Sequence, residues 1–232
     1  MEDRWTVQAT PGALFGAVYD GHGGVAAAAR AAADLHPALF RALARGRDPR
    51  TAFEAAFAEL DQAIAEPECG TTAAAFLLVG SALTTAHVGD SRIVLVTRGG
   101  AEILTRDHRL DEPDERARVL AKGAGIEPPY VVRGGRGLMV TRALGDRWFR
   151  PVGVIAKPEL GSRSLGRDDL AVVAATDGLW DVLGPEDAAR AVRPADGAHA
   201  AAQALVDAAE AAGAHDNVTA LVIRLPWEDA AR

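Results

Sequence analysis

At 232 residues, 49% of them hydrophobic, the chain carries enough apolar material for a substantial core, and its net charge of −7 excludes nucleic-acid binding driven by a basic field. The single Cys69 excludes an intrachain disulfide framework and a cysteine-rich zinc site, which makes a reducing cytoplasmic compartment the default. Met1-Glu2-Asp3-Arg4 offers no apolar leader core, and no stretch approaches the ~18 apolar residues of a membrane span, so a soluble protein with no membrane contact is expected.

Trp5 and Val7 alternate with polar neighbours and begin a strand, and the apolar run Leu14 to Tyr19 is a second, so a hairpin is predicted. Val25 to Arg45 is alanine-rich and Thr51 to Glu66 repeats apolar residues at three and four, which predicts two helices. Thr72 to Val79, Ala82 to Val88 and Ile93 to Val96 read as three consecutive strands of an antiparallel meander, broken at Gly80-Ser81 and Gly89-Asp90-Ser91. Glu112 to Ala121 suits a short helix, and Tyr130 to Arg142 and Val152 to Ile155 read as strands divided by glycine-rich turns. Leu170 to Ala175 is a buried strand ending at Thr176-Asp177-Gly178. Helices follow around Pro185 to Val192 and Ala198 to Ala212, Val218 to Leu225 closes the fold as a strand, and the tail from Pro226 is expected to be loose. One domain over 1–232 is the simplest partition.

Acidic residues gather at the ends of these strands. Asp20-Gly21-His22-Gly23-Gly24 follows the second strand and places a hard oxygen ligand beside a group that donates a proton near neutral pH. Asp90, Asp177 and Asp216 occupy comparable places, and Gly or Asn follows three of the four aspartates. Each has a plain alternative: Asp216-Asn217 a turn, Gly89-Asp90-Ser91 a hairpin, Asp181 a polar residue in the helical turn after Leu179-Trp180. As a set they imply a cation, because converging carboxylates repel one another and a hard divalent ion takes about six oxygens.

The motifs Glu2-Asp3, Asp20-Gly21-His22-Gly23-Gly24, Gly70-Thr71-Thr72-Ala73, Val88-Gly89-Asp90-Ser91-Arg92 and Leu104-Thr105-Arg106-Asp107-His108 occur in order. They are followed by Thr141-Arg142-Ala143-Leu144-Gly145-Asp146, Thr176-Asp177-Gly178-Leu179-Trp180-Asp181-Val182 and Asp216-Asn217-Val218-Thr219. In this the chain resembles the metal-dependent protein phosphatases of type 2C (PPM family), which act on phosphoserine and phosphothreonine. The resemblance implies an α+β fold, an αββα sandwich of two antiparallel sheets flanked by helices. It also implies phosphoprotein substrates and two Mn²⁺ or Mg²⁺ ions, with a third in some relatives; from composition and charge a cytoplasmic protein with no nucleic-acid partner is expected, and a monomer is expected as well.

Carried over position by position, the resemblance makes Asp20 the carboxylate that bridges two ions, with Gly21 lending its carbonyl to one and Asp177 and Asp216 serving the other. Glu2 and Asp3 would hold metal-bound waters, Asp90 and Asp181 an outer third ion, and His22 would be the general acid. Gly70-Thr71-Thr72 and Thr141 to Asp146 read as shaping core turns, and Asp107-His108 as a structural hydrogen-bonding pair. The cations would lower the pKa of a shared water and offset the charge of the phosphate dianion, with no covalent phosphoenzyme. The family's phosphate-binding arginine, four residues before the glutamate, and the strand that carries it fall ahead of Met1, so a shortened start is expected. The stretch around Pro151 is short for the family's substrate-side flap. A pseudophosphatase scaffold is the alternative reading, and a two-metal nuclease or phosphodiesterase ranks last because the surface is acidic.

Overall fold

The computed structural model describes residues 1–66 and 68–225. The chain opens with a hairpin, β1 (Arg4–Thr10) and β2 (Ala13–Tyr19), and the two-residue strand β3 (Gly21–His22). Two antiparallel helices follow, α1 (Ala26–Ala44) and α2 (Pro49–Ala63). The Asp48 carboxylate caps α2 by accepting from the amides of Arg50 and Thr51 at 3.0 and 3.2 Å, and Pro49 occupies the first helical position, where its missing N–H costs nothing. Then come β4 (Gly70–Thr71), β5 (Ala73–Val79), β6 (Ala82–Val88), β7 (Arg92–Thr97) and β8 (Ala101–Ile103). Helix α3 (Pro113–Ala121) leads into three short strands, β9 (Gly125–Glu127), β10 (Tyr130–Arg133) and β11 (Arg136–Leu138). β12 (Leu144–Gly145), a 3₁₀ helix (Arg147–Val152), β13 (Glu159–Ser164) and β14 (Asp169–Ala175) follow. The chain continues through α4 (Asp177–Trp180), α5 (Pro185–Val192), α6 (Gly197–Ala211) and β15 (Ala220–Arg224).

The larger strands form two antiparallel sheets, one in the order β1-β2-β5-β6-β13 and the other β15-β14-β7-β8. Alternate side chains along their apolar strands serve different layers, as the period of two requires. Val18, Ala74 and Phe76 of the first sheet meet Ile93, Leu95, Val172 and Ala174 of the second in the middle layer. Phe15, Ala17, Tyr19 and Ala75 face α1 and α2 on one outside, and Val94, Val96, Val173 and Ala175 face α5 and α6 on the other. The result is the expected αββα sandwich. Strand β1 is an outer edge, with Trp5 63% and Val7 37% exposed. Among the described residues no helix is long and apolar enough to cross a membrane.

Four local expectations are corrected. The meander stops after β6: β7 pairs with β14 and β8, so the chain changes sheets at Gly89-Asp90-Ser91, which is not a hairpin. Periodicity marks a strand but not its partner. Residues 152–155 are not a strand; Val152 ends the 3₁₀ helix, whose flanking Asp146 and Gly153 are both left-handed, and Ile155 makes only an isolated bridge to Arg142. Residues 139–142 likewise lie outside β11. Helix α2 ends at Ala63, three residues earlier than predicted, and β8, β9 and β13 went unanticipated. The expected loose tail from Pro226 lies outside the described residues.

Candidate active site

Strand register brings the acidic residues to one edge of the sandwich. In the first sheet Arg4 pairs with Tyr19, Val18 with Ala74 and Ala73 with Val88, so the start of β1, the end of β2, the start of β5 and the end of β6 coincide. In the second, Ala175 pairs with both Arg92 and Ala220, which puts the end of β14 beside the starts of β7 and β15. Asp3 and Asp20 directly adjoin those ends, Asp90 and Asp177 lie two residues beyond them, and Asp216 lies in the loop four residues before β15. At β14 the approach is close: a Cβ on Gly178 would fall 2.2 Å from the carbonyl oxygen of Asn217, so glycine is what allows the Asp177 and Asp216 loops to touch.

Asp20 is fixed through its backbone. Its amide donates to Oγ1 of Thr72 at 3.1 Å, and its carbonyl accepts from the Thr72 amide at 2.9 Å and the Thr71 hydroxyl at 3.0 Å. Thr72 and Ser91 share a hydroxyl hydrogen bond of 2.7 Å, which joins the Asp20 loop to the Asp90 crossing. The Asp20 side chain is left to its neighbours. Burial, then the charges of Asp177, Asp3 and Asp90, push its carboxyl up to about 10. Asp3 and Asp177 are raised as well, each chiefly by burial.

The N-terminal pair is held just as firmly. Asp3 accepts from the hydroxyls of Thr176 at 2.9 Å and Thr219 at 2.6 Å, and Glu2 accepts from the Gly24 amide at 2.8 Å while its own amide donates to Asn217 Oδ1 at 3.1 Å. Asp216 lines the cleft, and its charge helps to raise the carboxyls of Asp3 and Asp177. Gly21 is buried in β3 opposite Thr71. Nothing in the sequence pattern pointed to Arg109, the main addition here. Its guanidinium donates to Asp90 at 2.6 Å, Asp177 at 3.0 Å and Asp181 at 3.3 Å, so Asp90 and Asp181 are brought together around a cation supplied by the chain itself. Burial pushes the Asp90 carboxyl up to about 6 despite the downward pull of Arg109.

Asp107 and His108 are structural, but not as a pair with each other. Asp107 takes a two-pronged ion pair from Arg92 at 2.7 and 2.6 Å. His108 exchanges hydrogen bonds with Gly89, its amide donating to the Gly89 carbonyl at 3.0 Å and its Nδ1 accepting from the Gly89 amide at 3.2 Å. That clamp sets Arg109 beside Asp90.

A small sheet in the order β12-β4-β3 assembles the other half of the site. His22 pairs with Gly70 and Gly70 with Gly145, so Asp146, the next residue, reaches across Gly70 to the imidazole. Its Oδ2 lies 2.7 Å from His22 Nε2. Asp146 is buried and adopts φ 48°, uncommon for a residue other than glycine. Burial alone would lower the imidazole pKa; the hydrogen bond and charge of Asp146, helped by Asp90 and Glu2, outweigh it and raise the value. The Thr141–Asp146 segment therefore does more than shape a core turn. Its buried acidic residue after a glycine was the available signal.

Asp20, His22, Asp90, Asp146, Asp177 and Asp216 share a cleft of about 570 Å³. Its far wall comes from β11 and the 3₁₀ helix, including Arg136 and Trp148. The three-stranded sheet β11-β10-β9 thus reaches the cleft through β11. Among the described residues no group of three or more His, Cys, Asp or Glu side chains is placed to hold a metal ion as it stands. The donors nevertheless fit hard divalent ions, being carboxylates and carbonyls, and the crowding around Asp20 is what a cation relieves.

The family described as "Protein phosphatase 2C" matches residues 8–218. "Probable protein phosphatase 2C 59" of Oryza sativa subsp. japonica is 35% identical over 91% of this chain and 66% of its own length. "Probable protein phosphatase 2C 11" of Arabidopsis thaliana is 39% identical over 91% of this chain and 58% of its own. The chain thus spans between 58% and 66% of the length of these two relatives. The solved "serine-threonine phosphatase 2C from Toxoplasma gondii" superposes with a TM-score of 0.84 at 23% identity, covering 96% of this chain and 90% of that one, a likeness of fold.

Proposed function

Because the chain belongs to the protein phosphatase 2C family, we propose that it hydrolyses phosphoserine and phosphothreonine in proteins, at the cleft where Asp20, Asp90 and Asp177 converge beside His22. That convergence carries the reading. Six carboxylates line the cleft, an arrangement that works against folding and against an anionic substrate unless cations enter it.

Asp20, the Gly21 carbonyl, Asp177 and Asp216 would hold two Mn²⁺ or Mg²⁺ ions, Glu2 and Asp3 would orient waters around them, and Asp90 with Asp181 would hold a third. When bound, such ions make water a nucleophile near neutral pH and offset charge on the phosphoryl oxygens. The chain's own residues do the rest. The serine or threonine leaving oxygen is a poor leaving group unless protonated, and His22 lies on the cleft wall with its Nε2 engaged by Asp146. Asp146 fixes the ring, and its hydrogen bond and charge raise the imidazole pKa, which supports His22 as the proton donor. Thr71, Thr72 and Ser91 keep the Asp20 backbone in register with the Asp90 crossing, so the two acidic loops move as one.

A binding module without turnover has no need of a buried carboxylate aimed at a cleft imidazole, so the His22–Asp146 contact speaks against the scaffold alternative. The test is hydrolysis of a phosphothreonine peptide with and without Mn²⁺ or Mg²⁺. Release of phosphate that depends on the ion and stops with a chelator is expected; hydrolysis that survives full chelation refutes the role given to the carboxylates.

A further inference from the structure

The same cleft contains one feature that the hydrolytic chemistry does not use. Among its described lining residues Arg136 is the only guanidinium or ammonium, set against six carboxylates. Arg136 opens β11 at the tip of the β10–β11 hairpin, where its side chain is 51% exposed. Its Cζ lies 5.9 Å from the ring centroid of Trp148, while Arg133 from the other strand of the hairpin stacks on the same ring at 4.5 Å and its carbonyl accepts from Trp148 Nε1 at 3.2 Å. The indole therefore anchors the hairpin at the cleft wall and sets the direction in which Arg136 projects.

The partner of Arg136 is Glu68, a second lining residue from the opposite side of the mouth. Glu68 belongs to the segment leading into β4, and that segment rests on the Asp20–Gly24 loop: a Cβ on Gly23 would fall 2.2 Å from the Glu68 carbonyl oxygen. The ion pair thus bridges the wall formed by the hairpin and the wall formed by the acidic loop. Both side chains are half exposed, and ion pairs of that kind are weak and readily exchanged.

We propose that Arg136 reads a second anionic group on the substrate peptide, beside the phosphoresidue, and that Glu68 holds its place until substrate arrives. The proposed ions would be engaged by the phosphoresidue itself, so a second anionic group on the peptide needs its own cation at the mouth, and among the described lining residues Arg136 is the guanidinium there. The guanidinium fork suits a carboxylate and a phosphate equally. The recognised chemistry is therefore an oxyanion, from an Asp or Glu side chain or from a neighbouring phosphorylated residue. This deepens the phosphatase reading and rests on it.

The experiment compares three phosphothreonine peptides: one with neutral flanks, one with Glu flanks and one with a neighbouring phosphoserine. Steady-state KM and kcat are measured for the wild-type chain, Arg136→Gln and Glu68→Gln, and anisotropy titrations use labelled phosphonate analogues of the same peptides. Arg136→Gln is expected to raise KM for the anionic peptides about three- to tenfold relative to the neutral one. Glu68→Gln is expected to lower it, because the guanidinium is then free. The two anionic peptides show whether carboxylate or phosphate is the better ligand. An unchanged ratio of anionic to neutral KM in Arg136→Gln, with turnover intact, overturns the proposal and leaves the phosphatase reading standing. Arg136-dependent binding of the analogues without turnover of any peptide does the reverse.

Discussion

His22 Nε2 and Asp146 Oδ2 meet at 2.7 Å over the Cα of Gly70, at a spot where residue 70 has no room for a side chain. A Cβ there would fall 2.1 Å from the carboxylate oxygen and 2.4 Å from the imidazole nitrogen. Asp146→Asn keeps the shape and removes the charge, so kcat for a phosphothreonine peptide is expected to fall about a hundredfold, within the range of general acid catalysis. The loss on p-nitrophenyl phosphate, whose leaving group needs little protonation, is expected to be much smaller. Equal losses on both substrates would show that Asp146 serves the fold rather than the proton. Gly70→Ala is expected to reproduce the Asp146→Asn pattern.

Asp20 is a residue that the proposed chemistry requires and the metal-free fold resists. Its folded-state pKa lies above the unfolded value, so the carboxyl destabilises the metal-free protein as pH rises from about 4 toward about 10. Asp20→Asn is therefore expected to raise the melting temperature of the chelated protein at pH 7 by several degrees. It should also abolish hydrolysis and the upward shift that Mn²⁺ gives the wild type. A lower melting temperature for the chelated variant would mean that Asp20 is not crowded as described.

Arg109 does the opposite work. Removing it leaves Asp90, which is buried, without its counter-charge, and breaking such a contact costs about 3 kcal/mol. Arg109→Gln is expected to melt several degrees lower than wild type under chelation and to gain more than wild type from Mn²⁺, since a divalent ion can stand where the guanidinium stood. Calorimetric titration with Mn²⁺ reads the same competition directly. If the variant binds fewer or weaker ions than wild type, Arg109 supports the ions instead of competing with them.

His108 is fully buried and stacks on His87 with ring centroids 4.5 Å apart. Burial, then the neighbouring charges of His87 and Arg142, push its pKa down to about 2, and His87 is lowered too, chiefly by burial. The unfolded chain then binds more protons than the folded one below about pH 6.5. Stability from this site is complete above that value and is lost as pH falls, by up to about 1.4 kcal/mol per pH unit for His108 alone. The difference in unfolding free energy between wild type and His108→Asn is expected to narrow between pH 6.5 and 4. A difference that does not change with pH would show that His108 is already charged in the fold.

Much of this was legible in the chain itself, for reasons that are local. The β1–β2 hairpin, the alanine-rich α1 and the short apolar runs announce themselves by period and by bounding glycines, and the aspartates at strand ends were visible as ligand candidates because their residue type limits what they can do. What stayed hidden depends on distant partners. Nothing in Ile93 to Val96 says that β7 leaves β6 and joins β14. Arg109 was one arginine among many until the Gly89–His108 clamp aimed it at Asp90. Asp146 acquires its meaning only from the strand pairing that lays β12 beside β4.

The sheet change at Gly89-Asp90-Ser91 bears on mechanics as well as chemistry. Asp20 extends a strand of one sheet, Asp177 a strand of the other, and Asp90 the connection between them. An ion held by Asp20 and Asp177, as proposed, would therefore also rivet the two layers of the sandwich together, and its loss would leave that edge freer to splay. The cleft end of the molecule would then be stiffest when charged with metal, and its rigidity would follow the supply of divalent ions in the surrounding solution.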